Sequence, residues 1–257
     1  MSLSDLFKGT PPPPKATGVL SRFANPSPNA LSGLFGRAGS LPPAASVGSK
    51  VIGGPVAPVS QPKQRHTFYS FHYADVFRVN HVRNSGRIRD EDKGLRPRDK
   101  SLWESVRRTD PANLRRVINA GLQSTTVTCV LAGEETYARE WVRYEIAKSL
   151  QRGNGLLTVY IDGCQCPRNG FAPRGPDPLA CMALGWDQCI YEYRNHGWYP
   201  YDKIPTRIPN WPRWLAKPDY GRVMQLSSGT NAYDWINDNG RLNLIRWTCQ
   251  AARAAGR

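Results

Sequence analysis

One carboxylate in this sequence is notable because of the aromatic residue that precedes it. Glu145 follows Trp141 by four residues, in a segment whose apolar residues recur at helical spacing. Residues four apart on an α-helix share a face, so the spacing predicts a carboxylate beside a flat apolar ring. Such a carboxylate can stabilise a positive charge that develops during a reaction. The alternative is a partly exposed surface glutamate that pairs with a cation of its own helix, Arg139, Arg143 or Lys148.

A second group of candidate residues follows the predicted strands. Phe71, His72 and Asp75 come at or just after the end of the first strand, and Gly133 ends another. Parallel α/β sheets bind ligands outside the carboxyl ends of their strands, so these residues are candidates for a binding site. Phe71 can stack on a flat ring, His72 or Asp75 can bond a hydroxyl or phosphate, and Gly133 can form a further wall. The alternative is structural: Phe71 would be a core residue, and His72 would be a loop histidine whose hydrogen bonds are made within the protein.

Strands that alternate with helices must position these side chains. The sequence predicts neighbouring parallel strands at Thr67–Phe71, Thr125–Leu131 and Leu156–Ile161, of which the second is apolar almost throughout, as a buried strand should be. Helical spacing is predicted over four further ranges: 74–82, a segment capped by Asp110 and Pro111, a segment capped by Thr136 that ends near Leu150, and 242–255. This alternation predicts an α/β fold with a mainly parallel sheet flanked by helices.

The chain divides by composition near residue 64. Residues 1–64 are rich in Pro, Gly, Ser and Ala, and we expect this basic tail to be disordered. Its repeated Leu-Ser-x-Leu-Phe pattern could dock into a groove on a partner or a sister subunit, and chance explains it equally well. The composition of the tail also loosely resembles a transit peptide. Residues 65–257 are predicted to form one domain, with an irregular, tryptophan-rich elaboration at 163–230 folded against it.

The loop predicted at 84–100 and the segment that follows it hold two weaker site candidates. These are Asp99 and Trp103, for which solvent exposure and core packing are equally good explanations.

Charge and cysteine content limit the class of protein. The formal charge of +15 favours binding to an acidic partner. No acidic residue lies between Asp5 and Asp75, however, so the tail supplies much of the excess positive charge. Within the predicted domain, basic and acidic residues alternate, which argues against a nucleic-acid groove. We expect the six cysteines to be reduced thiols in a cytoplasmic protein that has no membrane span and no metal. A zinc site at Cys164, Cys166, Cys181 and Cys189 is the less favoured alternative, because paired C-x-x-C spacing is absent.

Several motifs, taken in order, resemble those of TIR-like domains, which have a flavodoxin-like fold. Phe68–Tyr73 resembles the family's opening strand and loop, and Val127–Thr136 resembles its central strand and turn. Glu140–Ile146 resembles the helix with the family's catalytic glutamate, and Leu156–Ile161 resembles the strand that follows. The C-terminal end resembles the subgroup of Thoeris anti-phage systems at Tyr233, Asp234, Trp235, Asn243, Leu244, Trp247, Ala251 and Ala252. The resemblance covers roughly residues 65–257.

This resemblance implies an enzyme that cleaves the nicotinamide–ribose bond of NAD. NAD is then a substrate and no further cofactor is expected, with Glu145 as the catalytic carboxylate. The product implied is a cyclic or otherwise modified ADP-ribose signal that a separate effector protein senses. A homo-oligomer is expected. The sequence does not say which nucleotide forms or what triggers the enzyme.

Two other classes of protein remain open at this point. Many TIR-like domains signal by self-association without catalysis, and a glutamate at position 145 alone does not exclude such a scaffold. A nucleic-acid-binding protein is the third class, to be recognised by binding that falls steeply with salt. The chain is neither a dinucleotide-binding dehydrogenase nor a P-loop protein, because it lacks both glycine-rich motifs.

Overall fold

The computed structural model describes residues 65–87, 111–204 and 206–257. Several predictions fall outside these ranges: the tail, residues 88–100 of the loop, the helix cap at Asp110, and the site candidates Asp99 and Trp103. No helix within the described ranges is long and apolar enough to cross a bilayer.

Eight strands and four α-helices make up the described chain. The strands are β1 (Thr67–Phe71), β2 (Val127–Ala132), β3 (Gly155–Tyr160), β4 (Met182–Gly185), β5 (Ile190–Arg194), β6 (Gly197–Pro200), β7 (Val223–Gln225) and β8 (Asn231–Asp234). The helices are α1 (Val76–Val82), α2 (Pro111–Leu122), α3 (Glu140–Arg152) and α4 (Gly240–Ala254). A π-helical segment at Arg83–Arg87 continues α1 where a loop was predicted.

The main sheet is parallel throughout and has the strand order β1-β2-β3-β8. The three predicted strands are neighbours in it, so the predicted α/β fold is confirmed. The fourth strand, β8, pairs with β3 from Leu157↔Asn231 to Tyr160↔Asp234. Strand β8 was not predicted from the sequence, because it is short and three of its four residues are at least partly exposed.

Helices cover both faces of this sheet. Helices α2 and α3 share one apolar cluster with Phe68, Val130 and Leu156. Helices α1 and α4 share a second cluster with strand residues such as Tyr69 and Leu131. Side chains alternate between the faces of a strand, so β1, β2 and β3 each supply residues to both clusters and are largely apolar.

The elaboration at 163–230 is more regular than the sequence predicted. It forms a four-stranded antiparallel sheet in the order β6-β5-β4-β7. Its strands contain only three to five residues, so the sequence shows little period-2 alternation. The predicted packing of its tryptophans holds for Trp198, which is buried, but not for Trp186, which is 42% exposed and contacts Tyr220.

The start of β3 packs directly against helix α4, which leads to a testable prediction. A Cβ added to Gly155 would lie 2.5 Å from the carbonyl carbon of Ala251, a backbone atom that cannot move aside alone. We expect Gly155→Ala to lower the free energy of unfolding by about 1–3 kcal/mol, measured by urea denaturation. Gly163→Ala is the control, because its Cβ would meet only the half-exposed side chain of Ile236. Equal stability of the two variants would contradict this packing argument.

Candidate active site

Glu145 lies on the inner face of α3, against the parallel sheet. Its Oε2 accepts a 2.5 Å hydrogen bond from the hydroxyl of Ser70, near the carboxyl end of β1. The main-chain oxygen of Glu145 accepts a bond from Ser149, whose hydroxyl also lies 2.7 Å from that of Thr128 on β2. Helix α3 is therefore fixed to two strands by polar contacts, and these contacts set the position of the carboxylate.

Glu145 is buried, which corrects the expectation of a partly exposed residue. Only 4% of it is accessible to solvent. It also has no cationic partner among the described residues, so the surface-pair alternative is wrong. The three candidate cations bond elsewhere: Arg139 to Glu135, Arg143 to Glu192 at 2.6 Å, and Lys148 to Gln151 at 2.9 Å.

Burial makes this carboxyl group unusual. Desolvation raises the pKa of Glu145 to about 8, although the hydrogen bond from Ser70 acts in the opposite direction. Desolvation disfavours the anion because water no longer solvates the charge. The group is therefore largely protonated near neutral pH, and a positive charge placed beside it would favour its ionised form.

Trp141 lies one helical turn before Glu145, as the spacing predicts. It is half-buried, and its ring meets that of Tyr144 edge-on, with centroids 5.9 Å apart. Trp141 packs against the apolar cluster on the α3 side of the sheet. It therefore helps to hold α3 in place, and its predicted contact with substrate stays a prediction.

Asp75 and Gly133 come together at the carboxyl ends of β1 and β2. A Cβ added to Gly133 would lie 2.5 Å from the carboxyl carbon of Asp75, so a larger residue there would displace the Asp75 side chain. Asp75 is buried and forms a 3.2 Å ion pair with Arg78, which also donates to the main-chain oxygen of Gly170. Burial raises the pKa of Asp75, while Arg78 and Thr136 lower it.

Thr136 has a different role from the predicted one. Its hydroxyl accepts a 2.9 Å bond from the N–H of Gly133, in the turn after β2. Helix α3 begins at Glu140 instead, after a single 3-10 turn at Thr136–Ala138, and Arg139 at its N-cap makes no side-chain cap. The side chain of Thr136 thus shapes the turn beside Asp75 and does not cap the helix.

Phe71 and Glu145 lie on opposite faces of the sheet. Phe71 is half-buried and packs against the cluster formed with α1 and α4, because it follows Ser70 directly and so points the other way. His72 is half-buried at the start of the 3-10 turn Tyr73–Asp75. The structure therefore unites Glu145 with Ser70, and Asp75 with Gly133, while Phe71 packs in a different layer. The predicted roles of Phe71 and His72 in binding substrate remain untested.

A charged group that the sequence did not predict lies at the ends of β3 and β8. Arg174 bonds both Asp162, at 3.2 Å, and Asp234, and lies 4.5 Å over the ring of Tyr160. Asp162, which directly follows the predicted strand Leu156–Ile161, was an available signal, whereas Asp234 ends β8, which the sequence did not predict. The arginine comes from the elaboration and could not be assigned to them by spacing.

The elaboration crosses the carboxyl ends of the strands. A Cβ added to Gly175 would overlap the main-chain oxygen of Glu134, just after β2. Asp177 then accepts a 2.7 Å bond from Thr158 of β3. This segment therefore forms a wall over the edge of the sheet where a ligand is expected.

Four of the six cysteines were candidates for a metal site. All six are free, and the described residues contain no group of three or more His, Cys, Asp or Glu side chains that could hold a metal ion. Cys164, Cys166, Cys181 and Cys189 are all described, so the zinc alternative is not supported.

The parallel sheet, its helices on both faces and the buried glutamate on α3 together define a TIR-like α/β domain. Residues 68–165 match the family model described as "Thoeris protein ThsB, TIR-like domain". A Bacillus cereus (strain MSX-D12) protein named "Putative cyclic ADP-D-ribose synthase ThsB1" is 36% identical over 192 residues, which cover 71% of this chain and 98% of that protein. The chain belongs to the Thoeris ThsB family of TIR-like proteins.

Proposed function

We propose that this protein cleaves the nicotinamide–ribose bond of NAD and releases a cyclic or otherwise modified ADP-ribose signal in anti-phage defence. The observation that carries this proposal is Glu145, a buried carboxylate with no cationic partner among the described residues. The name of the 36% identical relative refers to synthesis of cyclic ADP-ribose, which supports the same chemistry.

The chemistry requires little of the protein beyond a well-placed negative charge. Nicotinamide leaves NAD as a neutral molecule because its ring nitrogen is cationic in the substrate, so no general acid is needed. Positive charge then develops on the ribose, as in other glycosidic cleavages. The carboxylate of Glu145 would stabilise that charge in a site of low dielectric constant, where the interaction is strong.

Asp75 is less suited to this role. Its carboxylate is already neutralised by the 3.2 Å ion pair with buried Arg78. A carboxylate that is paired with a guanidinium has less charge available for a developing ribosyl cation. The charge balance of the two carboxylates therefore favours Glu145.

Substrate binding and ionisation of Glu145 are linked in this mechanism. The pKa of Glu145 is about 8 in the free protein, and the nicotinamide cation beside it would lower that pKa. Because Glu145 is only 4% exposed, neighbouring side chains must move before the ribose can reach it. NAD is the substrate here, and no separate cofactor is proposed.

The direct test is incubation of the purified full-length protein with NAD, with products separated by mass and retention time. Release of nicotinamide together with a modified or cyclic ADP-ribose is expected, and the two products should appear in equal amounts. The enzyme can require assembly or a trigger, so extracts of phage-infected cells should be added in a parallel series. Intact NAD in every series would favour a scaffold that signals by self-association.

Ser70 should control the ionisation of the catalytic carboxyl group. For the wild type, we expect kcat/KM to rise with pH through the pKa of Glu145 at about 8, because only the anion stabilises the ribosyl cation. Ser70→Ala removes a hydrogen bond that lowers this pKa, so its profile should move to higher pH. Activity at pH 7 should fall more than activity at pH 9. Identical profiles for the two proteins would show that this hydrogen bond does not tune catalysis.

The partners of the protein follow from the same proposal. The nucleotide product would act on a separate effector protein, and a homo-oligomer would be the active form. Light scattering of the purified protein with and without NAD tests the second point. A monomer with full turnover would contradict it.

A further inference from the structure

A cavity of about 520 Å³ lies at the end of the main sheet where β3 begins. Its walls are the last turn of α3 with the residues that lead into β3, residues 209–214, and the residues just after α4. Glu145 lies in the second turn of α3, about 10 Å along the helix axis from Arg152 at the cavity. The cavity therefore contains neither Glu145 nor the carboxyl ends of the strands.

The lining of this cavity is positively charged. Arg152, Arg213 and Arg257 line it, and no acidic side chain does. None of the three forms an ion pair with an acidic side chain of residues 65–87, 111–204 and 206–257. Three guanidinium groups without a described counter-charge favour an anionic ligand.

The arginines retain donors for such a ligand. Arg152 donates one N–H to the main-chain oxygen of Gln123 at 2.5 Å, and Arg257 donates to the main-chain oxygens of Arg152 and Gly153. A guanidinium carries five N–H donors, so these bonds leave others free. Arg213 lies over Gly256 and forms no hydrogen bond or ion pair with any residue in the described ranges.

The uncharged lining adds flat rings and an unused acceptor. Trp211 and Trp214 are both half-buried, and the indole N–H of Trp211 donates to the main-chain oxygen of Leu215 at 2.6 Å. Asn154 is 1% exposed, and its amide nitrogen donates to the hydroxyl of Thr125 at 3.0 Å. Its Oδ1 is buried and receives no hydrogen bond from the part of the chain that the structure describes, which is rare for a buried polar atom unless a ligand or water supplies one.

We propose that this cavity is a second binding site, for a nucleoside phosphate. Its volume lies in the range of small-ligand sites. Arginine binds phosphate through paired N–H groups, tryptophan stacks on bases, and an amide oxygen accepts from a sugar hydroxyl or a base amine. The inference does not depend on the proposed NAD chemistry.

The test uses ADP, which has no nicotinamide–ribose bond and so cannot be consumed by the proposed reaction. Calorimetric titration of the full-length protein should show ADP binding, with adenosine and inorganic phosphate each at least about tenfold weaker. Arg213→Gln should weaken one class of ADP site by about tenfold or more, because a charge-assisted contact is lost. Arg213→Lys should restore part of the affinity, since it keeps the charge.

Arg222→Gln is the matched control, because Arg222 is also exposed and lies outside the cavity. It should bind ADP like the wild type. Arg213 is exposed as well, so its variants should keep the fold, which circular dichroism can verify. Equal ADP affinity in the Arg213→Gln and Arg222→Gln proteins would overturn the proposal. It would also be overturned if adenosine or inorganic phosphate alone bound as tightly as ADP.

Discussion

Replacement of Glu145 by glutamine should remove NAD turnover while leaving the protein more stable. The substitution keeps the shape of the side chain and can keep the contact with Ser70, but it removes the negative charge. We expect turnover at pH 8 to fall by about 100-fold or more, a loss near 3 kcal/mol, which is typical of a single electrostatic stabiliser. Steady-state release of nicotinamide measures this. The ratio between wild type and variant should shrink at lower pH, because the wild-type carboxyl group is then protonated.

The stability of the same variant should depend on pH in a defined direction. Glu145 has a pKa of about 8 in the folded protein, against 4.5 for an exposed glutamate. Between these values the folded state holds a proton that the unfolded state has released, so the free energy of unfolding of the wild type falls as pH rises. Glutamine does not titrate. Glu145→Gln should therefore unfold at a higher temperature than the wild type at pH 8, with a smaller difference at pH 5.

Glu140→Gln is the control for both measurements. It makes the same chemical change on the same helix, but Glu140 is exposed and only 3.6 Å from Lys203 in a surface pair. Turnover and stability of this control should stay close to those of the wild type. Full NAD turnover by folded Glu145→Gln would show that the catalytic carboxylate lies elsewhere, with Asp75 as the next candidate.

Replacement of Asp75 should instead affect folding. Asp75→Ala would leave Arg78, which is 4% exposed, without its carboxylate, so that a buried charge loses its partner. We expect a loss of about 3–5 kcal/mol in the free energy of unfolding, measured with urea. The double variant Asp75→Ala with Arg78→Met removes both charges and should recover much of that loss.

The double variant also distinguishes a structural role of Asp75, through its ion pair with Arg78, from a direct role in the reaction. If Asp75 acts mainly through the ion pair, stability should return with Arg78→Met. An Asp75→Ala protein that is as stable as the wild type but cannot cleave NAD would contradict this reasoning. In that case, Asp75 would take part in the reaction directly.

Local sequence patterns are enough to identify three of the four strands of the main sheet and the helix that holds Glu145. A short apolar run that ends at a glycine, such as β2, indicates a buried strand, and helical spacing around Trp141 and Ile146 indicates a helix against it. These signals are local, so they could be identified without knowledge of the rest of the chain. The same is true of the order of motifs that resembles the TIR-like family.

The short strands of the elaboration and β8 could not be predicted from local apolar runs or helical spacing. They have three to five residues each, and the pairing partners of β7 and β8 are distant in sequence. What stabilises such strands is cross-strand contact, which the local pattern does not encode. The charged group of Arg174, Asp162 and Asp234 could not be predicted either, because its contacts form only when distant parts of the chain fold together.

The state of Glu145 was decided only by the tertiary structure. From the sequence it could have been a surface residue, because three cations lie within six positions of it on the same helix. Folding directs those cations to Glu135, Glu192 and Gln151, and brings Ser70 from 75 residues away to the carboxylate. Burial against β1 then raises the pKa, since a charge in a low-dielectric interior lacks the solvation that water provides. Residue type and spacing give a carboxylate on a helix, whereas its charge depends on every group that packs around it.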